Sequence, residues 1–349
     1  MSIYLDNGYL SFQGLLEKTR KFNFIIGGRG IGKSHLTVDI YNSKQLPILY
    51  VARTNVALEN SFSPISDFSK PDWFGKDLIY KYNNRKGFGV AYKNKEDLEN
   101  GKPFIYGVSL STFNNKTGID FTQFYDVILD EFIPQRGARP IKNEFAAYKN
   151  IMEAVYRNRT FDEYSKIKVW FFGNSNAITS NIIIGYRLVK DLYEMYKSKT
   201  EVYQVNGRDI TLFMPFNSPI SEQKALNPFY KNLPESRKRM ELKNEFADLE
   251  DNHIRHQNLK EYICWVQTPL FTVWGHKSNG SYYVTRKIKG SAMWQNFEAT
   301  ISGLVAWQKD YKVWFRAACI EGSIYYSDYE VQADFLASAD CVSWDDILG

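Results

Sequence analysis

Residues 22–34 read FNFIIGGRGIGKS, and this stretch decides the fold. A short apolar segment runs into a glycine-rich turn that fits the pattern GxxxxGKS, and a predicted helix follows at 34–41. The pattern is filled by Gly27, Gly28, Arg29, Gly30, Ile31, Gly32, Lys33 and Ser34. Glycines in such a loop let successive backbone N–H groups point at phosphate oxygens, while the lysine reaches the β- and γ-phosphates and the hydroxyl ligates Mg²⁺. The sequence therefore predicts a nucleotide-binding strand, loop and helix.

A second apolar segment, 127–129, ends in two carboxylates, Asp130 and Glu131. This arrangement resembles a Walker B motif, in which an acid at the tip of a strand holds Mg²⁺ and a further acid polarises the water that attacks the phosphate. We expect Asp130 to take the first role and Glu131 the second. A glutamate directly after the aspartate favours ATPases that carry their own catalytic base over GTPases and small-molecule kinases.

Two further pairs of polar residues follow regular elements of the same predicted domain. Ser175 and Asn176 come after an apolar strand and are candidates to sense the γ-phosphate; the alternative is a simple polar turn. Arg157 and Arg159 come after a predicted helix at 142–156. They fit a solvated helix end, because cations are favourable at a helix C-terminus. They also fit an arginine finger that reaches the ATP of a neighbouring subunit.

The pattern of elements predicts two domains. Strands and helices alternate up to residue 212, which indicates a mainly parallel α/β sheet. Four prolines between 215 and 234 then suggest a linker, with a charged helical stretch at 235–259. Beyond 260 the pattern predicts strands at 262–266, 271–274, 282–285 and 313–317. The tryptophans of this last part are expected to pack in its core.

The composition limits the class of protein. Hydrophobic residues make up 44% and charged residues 24% of the 349, and the net charge of +5 is compatible with nucleic acid without indicating it. The three cysteines have no metal-type spacing, which predicts reduced thiols. No apolar run approaches the ~20 residues that span a bilayer, and the N-terminal residues do not read as a signal peptide. We expect a soluble, intracellular protein with no membrane partner.

Four segments together resemble one family, the DNA-packaging ATPases of phi-29-like bacteriophages. They are 23–34, 130–133 (DEFI), 155–159 (VYRNR) and 175–177 (SNA), in the family's order and with similar spacing. The resemblance implies that Arg157 acts on the ATP of the neighbouring subunit, with Arg159 as the fallback. Family members also carry a basic run after their second strand, one residue of which acts in trans. Here 52–55 reads ARTN, so Arg53 is the remaining candidate for a second trans-acting cation.

The resemblance also implies a domain plan. It comprises an ASCE-type P-loop ATPase domain at 1–212, a proline-rich and helical linker at 213–259, and a small RNase-H-like α+β domain at 260–349 that has lost nuclease activity. In the related nucleases, acidic residues on the first strands hold metal ions. Here the candidate first strand, 271–274, runs into Gly275 and His276 and offers no carboxylate.

The function that the resemblance implies is DNA packaging, with ATP and Mg²⁺ as cofactors. Identical subunits form a ring, a pentamer, at the portal connector of an empty capsid and pull double-stranded DNA inside. Whether an RNA adaptor joins motor to portal stays open. The protein would act in the cytoplasm of the infected bacterial host, transiently attached to the procapsid. Two alternatives remain: a helicase-like DNA motor not tied to a capsid, and a nucleotide-dependent switch with little hydrolysis.

Three basic clusters are candidates for contacts with DNA phosphates, although each also fits an ordinary solvated surface. They are Arg85 and Lys86; Arg237, Lys238 and Arg239; and Arg286 and Lys287.

Overall fold

The structure is a computed structural model that divides the chain into two units. It describes residues 2–63, 74, 78–83, 87–113, 120–135, 141, 143–176, 178, 180–233, 238, 242, 244, 246, 253–288, 292–339 and 344. Unit 1 comprises Met1–Asn176 and Met195–Ala247, and unit 2 comprises Ala177–Glu194 and Asp248–Gly349. The short stretch 177–194, expected in the ATPase domain, thus belongs to unit 2. One reason is that the Tyr193 ring packs 4.4 Å from the Tyr329 ring of that unit.

Unit 1 is built on a nine-stranded sheet within the described residues, in the order β3-β4-β5-β2-β6-β7-β1-β9-β8. Its strands are β1 Phe22–Ile26, β2 Ile48–Ala52, β3 Ile79–Asn83, β4 Phe88–Tyr92, β5 Ile105–Ser109, β6 Asp126–Asp130, β7 Lys168–Gly173, β8 Val202–Gln204 and β9 Ile210–Phe213. The central strands are parallel, whereas β3, β4 and β8 add antiparallel edges. The expected α/β fold with a mainly parallel sheet is confirmed.

The strand order matters for the site, because β7 lies between the P-loop strand β1 and the carboxylate strand β6. This inserted strand is the arrangement expected of the ASCE-type fold. In the sheet register Ile26 pairs with Gly173, and Phe172 pairs with Asp130. The carboxyl ends of all three strands therefore meet at one edge of the sheet, which is where ligands bind in open α/β sheets.

The apolar character of these strands explains their central position. All five residues of β2 are buried, as are the last four of β1. Strands covered on both faces read as continuous apolar runs. Phe24 and Phe171 stack with ring centroids 4.0 Å apart across neighbouring strands.

The helices described between residues 12 and 231 are Phe12–Leu16, Leu36–Lys44, Asn55–Ser61, Lys95–Glu99, Leu110–Phe113, Glu144–Tyr156, Phe161–Lys166, Asn181–Gly185, Val189–Ser198, Pro219–Ala225 and Pro228–Lys231.

Unit 2 contains a five-stranded mixed sheet within the described residues, in the order β13-β10-β11-β12-β14. Its strands are β10 Tyr262–Gln267, β11 Phe271–His276, β12 Tyr282–Arg286, β13 Gln295–Asn296 and β14 Ile324–Tyr326. Strands β10 to β12 form an antiparallel meander, and β13 and β14 are parallel to their neighbours. With the helices Ile301–Asp310, Arg316–Glu321 and Tyr329–Ser338, this gives the small α+β domain that was expected.

The structure contradicts one sequence-based expectation for unit 2 and the last part of another, which begins in unit 1. The expected strand at 313–317 is helical: a π-helical turn, Tyr311–Phe315, runs into the helix Arg316–Glu321. Burial of Trp307 and Phe315 on one side of this continuous helix outweighs the β-propensity of the local sequence. The predicted helix at 235–259 lies mostly outside the described residues. Its last part, 253–258, is not helical, because Ile254 bridges to Tyr326 of β14.

Among the described tryptophans of unit 2, some are buried, Trp265 is partly buried, and others are exposed. Trp307 is fully buried, and its indole N–H donates to Ser338 Oγ at 2.8 Å. Trp274 and Trp344 are also buried, which confirms core packing for these residues. The expectation is wrong for Trp294 and Trp314, which are 58% and 49% exposed. Among the described residues, no helix combines the length and apolar composition that crossing a bilayer requires.

Candidate nucleotide site

The glycine-rich loop forms one wall of a cavity of about 780 Å³ at the carboxyl edge of the sheet. The loop turns sharply, with φ of +67° at Gly30 and +100° at Gly32. Only glycine adopts such angles without steric cost. The Ile31 carbonyl accepts a hydrogen bond from the Leu10 N–H at 2.9 Å, which fixes the loop to the N-terminal segment. Two of the predicted glycines, Gly30 and Gly32, thus adopt a backbone conformation that favours glycine.

Lys33 is buried inside the loop. Its ammonium donates to the carbonyls of Gly27 at 2.8 Å and Gly28 at 2.6 Å. Burial lowers the pKa of Lys33 to about 7, and the positive charges of Lys224 and Arg29 act in the same direction. Asp130 opposes this lowering. A cation held by neutral carbonyls beside other cations is a receptive site for an anionic ligand such as a phosphate.

Asp130 ends β6 and lines the same cavity. The Tyr50 hydroxyl donates to Asp130 Oδ2 at 2.6 Å, and the Glu131 N–H donates to Oδ1 at 2.9 Å. Burial raises the pKa of Asp130; the hydrogen bond from Tyr50 opposes this shift and the charge of Glu131 adds to it. Ser34 lines the cavity as well. Hydroxyl and carboxylate oxygens are the hard ligands that Mg²⁺ prefers, so the residues present fit this metal.

Glu131 adopts a left-handed backbone with φ of +52°, which is uncommon outside glycine. This turn places Glu131 among the residues that line the cavity, immediately beyond the metal-type acid. The Gln135 amide donates to Glu131 Oε1 at 3.2 Å. Backbone strain of this kind is characteristic of functional sites. The position fits an acid that receives a proton from water.

The turn after β7 contributes a residue that the sequence did not single out. Asn174 lines the cavity, whereas Ser175 and Asn176 are buried and are not among the lining residues. The Asn176 N–H donates to the Asn174 carbonyl at 2.7 Å, which tightens the turn. The sensor role of Ser175 and Asn176 stays a prediction, and Asn174 joins them. The sequence signal for Asn174 was its position directly after the last residue of strand β7.

The three candidate arginines differ in their surroundings. Arg157 is exposed where the helix Glu144–Tyr156 ends. Arg159 is buried: its Nη2 donates to the carbonyls of Phe121 at 3.2 Å and Phe124 at 2.5 Å, and its guanidinium lies 4.5 Å from the Tyr125 ring centre.

Arg53 is also buried, and it is paired within its own chain. Its Nε donates to Glu144 Oε1 at 2.5 Å, and its Nη2 donates to Oε2 at 3.3 Å. Glu144 is buried too. Removing one partner of a buried ion pair leaves an uncompensated charge, so this bond opposes any movement of Arg53 toward a neighbouring subunit. These contacts favour structural roles for Arg53 and Arg159 and leave Arg157 as the accessible finger candidate.

The proposed DNA clusters are only partly described. Arg85, Lys86, Arg237 and Arg239 lie outside the described residues, and Lys238 is partly exposed. Arg286 forms ion pairs with Glu330 and, at 3.3 Å, with Asp334. Lys287 is exposed. Arg286 therefore has acidic partners in its own unit, whereas Lys287 stays a candidate for contact with DNA.

Comparison with known proteins decides the family. The family model of the Podovirus DNA encapsidation protein (Gp16) matches residues 5–291. The chain belongs to this family. The match includes the P-loop, the Asp130–Glu131 pair and Arg157, and it confirms the resemblance to the phi-29-like packaging ATPases.

Individual relatives agree with the family. The DNA packaging protein of Bacillus phage PZA is 22% identical over 284 residues, which cover 78% of this chain and 77% of the relative. The solved Phi-28 gp11 DNA packaging motor has a TM-score of 0.65 at 16% identity and covers 96% of this chain and 98% of its own. The bacteriophage Phi-29 viral genome packaging motor assembly has a TM-score of 0.58, also at 16% identity, over 95% and 99%. At these identities the solved structures support the fold of this member of the Gp16 family.

Proposed function

We propose that this chain is an ATP-driven translocase that packages double-stranded DNA into a preformed capsid. The observation that carries the proposal is that Lys33, Ser34, Asp130 and Glu131 line one cavity at the carboxyl edge of the sheet. Family membership supplies the purpose, because the relative from phage PZA is named a DNA packaging protein. ATP hydrolysis provides the energy for translocation. Hydrolysis needs the second acid, Glu131, whereas a passive nucleotide switch does not need it.

The residues of the cavity divide the chemistry among them. The loop N–H groups and Lys33 bind the phosphates of ATP. Ser34 and Asp130 would hold Mg²⁺, which would supply positive charge at the phosphate oxygens. Glu131 orients the attacking water and accepts its proton. Arg157 of a neighbouring subunit then stabilises the negative charge of the transition state. In the same proposal, the turn that contains Asn174, Ser175 and Asn176 reports the loss of the γ-phosphate.

The arginine finger requires a ring of identical subunits, which we propose is a pentamer at the portal connector of the procapsid. The two solved structures of similar fold are described as a packaging motor and a motor assembly, which supports this arrangement. An RNA adaptor between motor and portal is compatible with this proposal and is not required by it. The motor would work in the cytoplasm of the infected host, attached to the procapsid only while DNA enters.

We further propose that unit 2 does not cut DNA. Two-metal cleavage needs several carboxylates that converge on two cations about 4 Å apart. Asp328 accepts the Val331 N–H at 2.8 Å as a helix cap, and Arg286 pairs with Glu330 and Asp334. These contacts give the late acids structural partners. Incubation of the purified protein with plasmid DNA and Mg²⁺ or Mn²⁺ should leave the plasmid intact. Nicking that co-purifies with the protein and disappears in Asp334→Asn would overturn this proposal.

Steady-state ATP hydrolysis with and without double-stranded DNA tests the motor assignment. We expect hydrolysis that DNA stimulates in the wild type and none in Lys33→Ala, because the variant loses the phosphate-binding cation. Tight ATP binding without turnover, with or without DNA, would favour the switch. Co-purification with empty capsids separates a packaging motor from a helicase-like motor, which would bind DNA but not the portal.

A further inference from the structure

A buried tyrosine contacts the acid that is proposed to hold the metal. Tyr50 lies on the central strand β2 and is only 3% exposed, and its hydroxyl donates to Asp130 Oδ2 at 2.6 Å. A distance of about 2.5–2.7 Å is typical of a hydroxyl bound to an ionised carboxylate, and such bonds are about twice as strong as neutral ones. The carboxylate therefore has a donor that belongs neither to the glycine-rich loop nor to its own strand.

The register of the sheet explains this contact. Ala52 of β2 pairs with Asp130 of β6, and Tyr50 lies two residues before Ala52 on the same face of the strand. The ring of Tyr50 packs against Phe62 with centroids 6.3 Å apart, and Ser61 Oγ lies 3.3 Å from the Tyr50 hydroxyl. The protein's own packing thus holds the tyrosine beside the acid before any ligand binds.

The two oxygens of the Asp130 carboxylate have separate donors. The Tyr50 hydroxyl binds Oδ2, and the Glu131 N–H binds Oδ1 at 2.9 Å. An ionised carboxylate offers about four lone-pair sites, so two hydrogen bonds leave both oxygens able to accept a metal ion. Both donors are uncharged, so the carboxylate keeps the negative charge that attracts a cation. A side chain fixed in this way loses less rotational freedom when a metal binds.

Two charged neighbours act on the same carboxylate in opposite directions. The positive charge of Lys33 attracts it, and the negative charge of Glu131 repels it. If the Tyr50 hydroxyl is removed, these charges act on a carboxylate that has lost its donor at Oδ2. The hydrogen bond from Tyr50 therefore helps to decide where the oxygens of Asp130 point.

We propose that Tyr50 is a positioning residue for the metal, whose hydroxyl fixes the Asp130 carboxylate in the orientation that binds Mg²⁺. This inference rests on the proposed ATPase function, in which Ser34 and Asp130 hold Mg²⁺. Removal of a hydrogen-bonding partner of a metal ligand typically weakens metal binding roughly ten- to a hundredfold. Tyr50 acts through Asp130 and has no contact with the metal of its own.

A Mg²⁺ titration of the binding of a fluorescent, non-hydrolysable ATP analogue to the full chain tests the proposal without turnover. The measured quantity is the Mg²⁺ concentration at which the increase in analogue binding is half complete. We expect Tyr50→Phe to raise this concentration roughly ten- to a hundredfold, while analogue binding in EDTA equals that of the wild type.

Tyr82→Phe is the matched control. Tyr82 lies on β3 of the same sheet, and its hydroxyl donates to the Asn55 carbonyl at 2.9 Å. The variant therefore also removes a hydrogen-bonded tyrosine hydroxyl, but it leaves the Asp130 carboxylate with its donors. Its Mg²⁺ response and its analogue binding in EDTA should equal those of the wild type.

The variant Asp130→Asn shows whether Tyr50 acts through Asp130. Because the carboxylate is absent in this background, adding Tyr50→Phe should cause no further rise in the half-maximal Mg²⁺ concentration. Changes that act through one shared group are not additive. A further rise as large as that in the wild-type background would mean that Tyr50 acts by another route, and it would overturn the inference.

Two other results would also overturn it. Equal loss of analogue binding with Mg²⁺ and in EDTA would mean that Tyr50 only shapes the site, and a wild-type Mg²⁺ response in Tyr50→Phe would mean that the hydroxyl does not position the acid. A thermal unfolding midpoint close to that of the wild type shows that the variant is folded, as expected because phenylalanine keeps the ring beside Phe62. If the wild type itself does not bind the analogue, the proposed ATPase function fails first and takes this inference with it.

Discussion

Each unit of the molecule carries a pair of acids beside a cavity, and the two pairs have different partners. The sheet-edge acids, Asp130 and Glu131, end a buried strand of unit 1 and receive hydrogen bonds from neutral groups. The helix acids, Glu330 and Asp334, lie one turn apart on a helix of unit 2, and Arg286 pairs with both. The cation for the helix acids thus comes from the same chain.

The difference shows that acidic residues alone do not define a catalytic site. A carboxylate pair can bind a metal and act on water when no arginine neutralises its charge. When an arginine neutralises the pair, the carboxylates are not available for that chemistry. The sheet-edge acids line a cavity with Lys33 and Ser34, residue types that recognise phosphate and metal. The helix acids share a smaller cavity of about 310 Å³ with Arg187 and Arg286.

The comparison sharpens most at Arg157, which we propose is the cation that a second copy brings to the phosphates of the ATP bound beside the sheet-edge acids. Arg157→Ala should lower the rate of ATP hydrolysis in assembled rings by roughly 10³–10⁵, the worth of an arginine finger. Mixing Arg157→Ala subunits with Glu131→Gln subunits should restore part of the activity, because one interface then carries both working groups. Rings shown to be mixed that gain no activity would contradict action in trans.

A smaller effect is expected when the helix acids lose their cation. Arg286→Gln should reduce the free energy of unfolding by no more than about 1 kcal/mol, because the pair is partly exposed. The side chain of Arg286 is 50% and that of Glu330 44% exposed. Urea denaturation followed by tryptophan fluorescence measures the change. The variant should still leave plasmid DNA intact in Mn²⁺; nicking by Arg286→Gln would mean that the arginine masks a metal site.

A third expected effect is a pH dependence at Asp334. Burial raises the pKa of this carboxyl from 3.8 to about 6, although Arg286 acts against the shift. Between these values the folded state binds more protons than the unfolded state, so the free energy of unfolding should fall as pH rises through this window. Asp334→Asn should make that fall shallower in denaturation curves from pH 4 to 7. An unchanged slope would show that Asp334 does not titrate as its burial indicates.

The sequence predicted which motifs come together at the edge of the sheet, because each of these motifs is local. Strand β1 is the apolar segment predicted before the P-loop, and the P-loop and the Walker B acids converge because parallel strands end at the same edge of a sheet. The backbone conformation of Glu131 has no such local signal. Lys224 is distant in sequence, and only the tertiary fold brings it to Arg29 and Gly30.

Roles that depend on tertiary partners were less predictable. Arg157 and Arg159 are two residues apart in one short motif, yet only Arg159 is buried, against the carbonyls of Phe121 and Phe124. The partner of Arg53, Glu144, is 91 positions away in sequence. At 313–317 the aromatic and β-branched residues suggested a strand, but packing of the continuous helix decides the conformation.

The central claim is that hydrolysis at the sheet-edge acids drives DNA into a capsid, and Glu131→Gln tests it most directly. Procapsids, linear double-stranded DNA and ATP are mixed with wild type or variant, and the DNA that becomes resistant to added nuclease is measured. We predict that the wild type protects DNA, whereas the variant binds ATP with wild-type affinity, hydrolyses it about 10²–10⁴ times more slowly and protects none. Protection of DNA by Glu131→Gln at the wild-type rate would contradict the account.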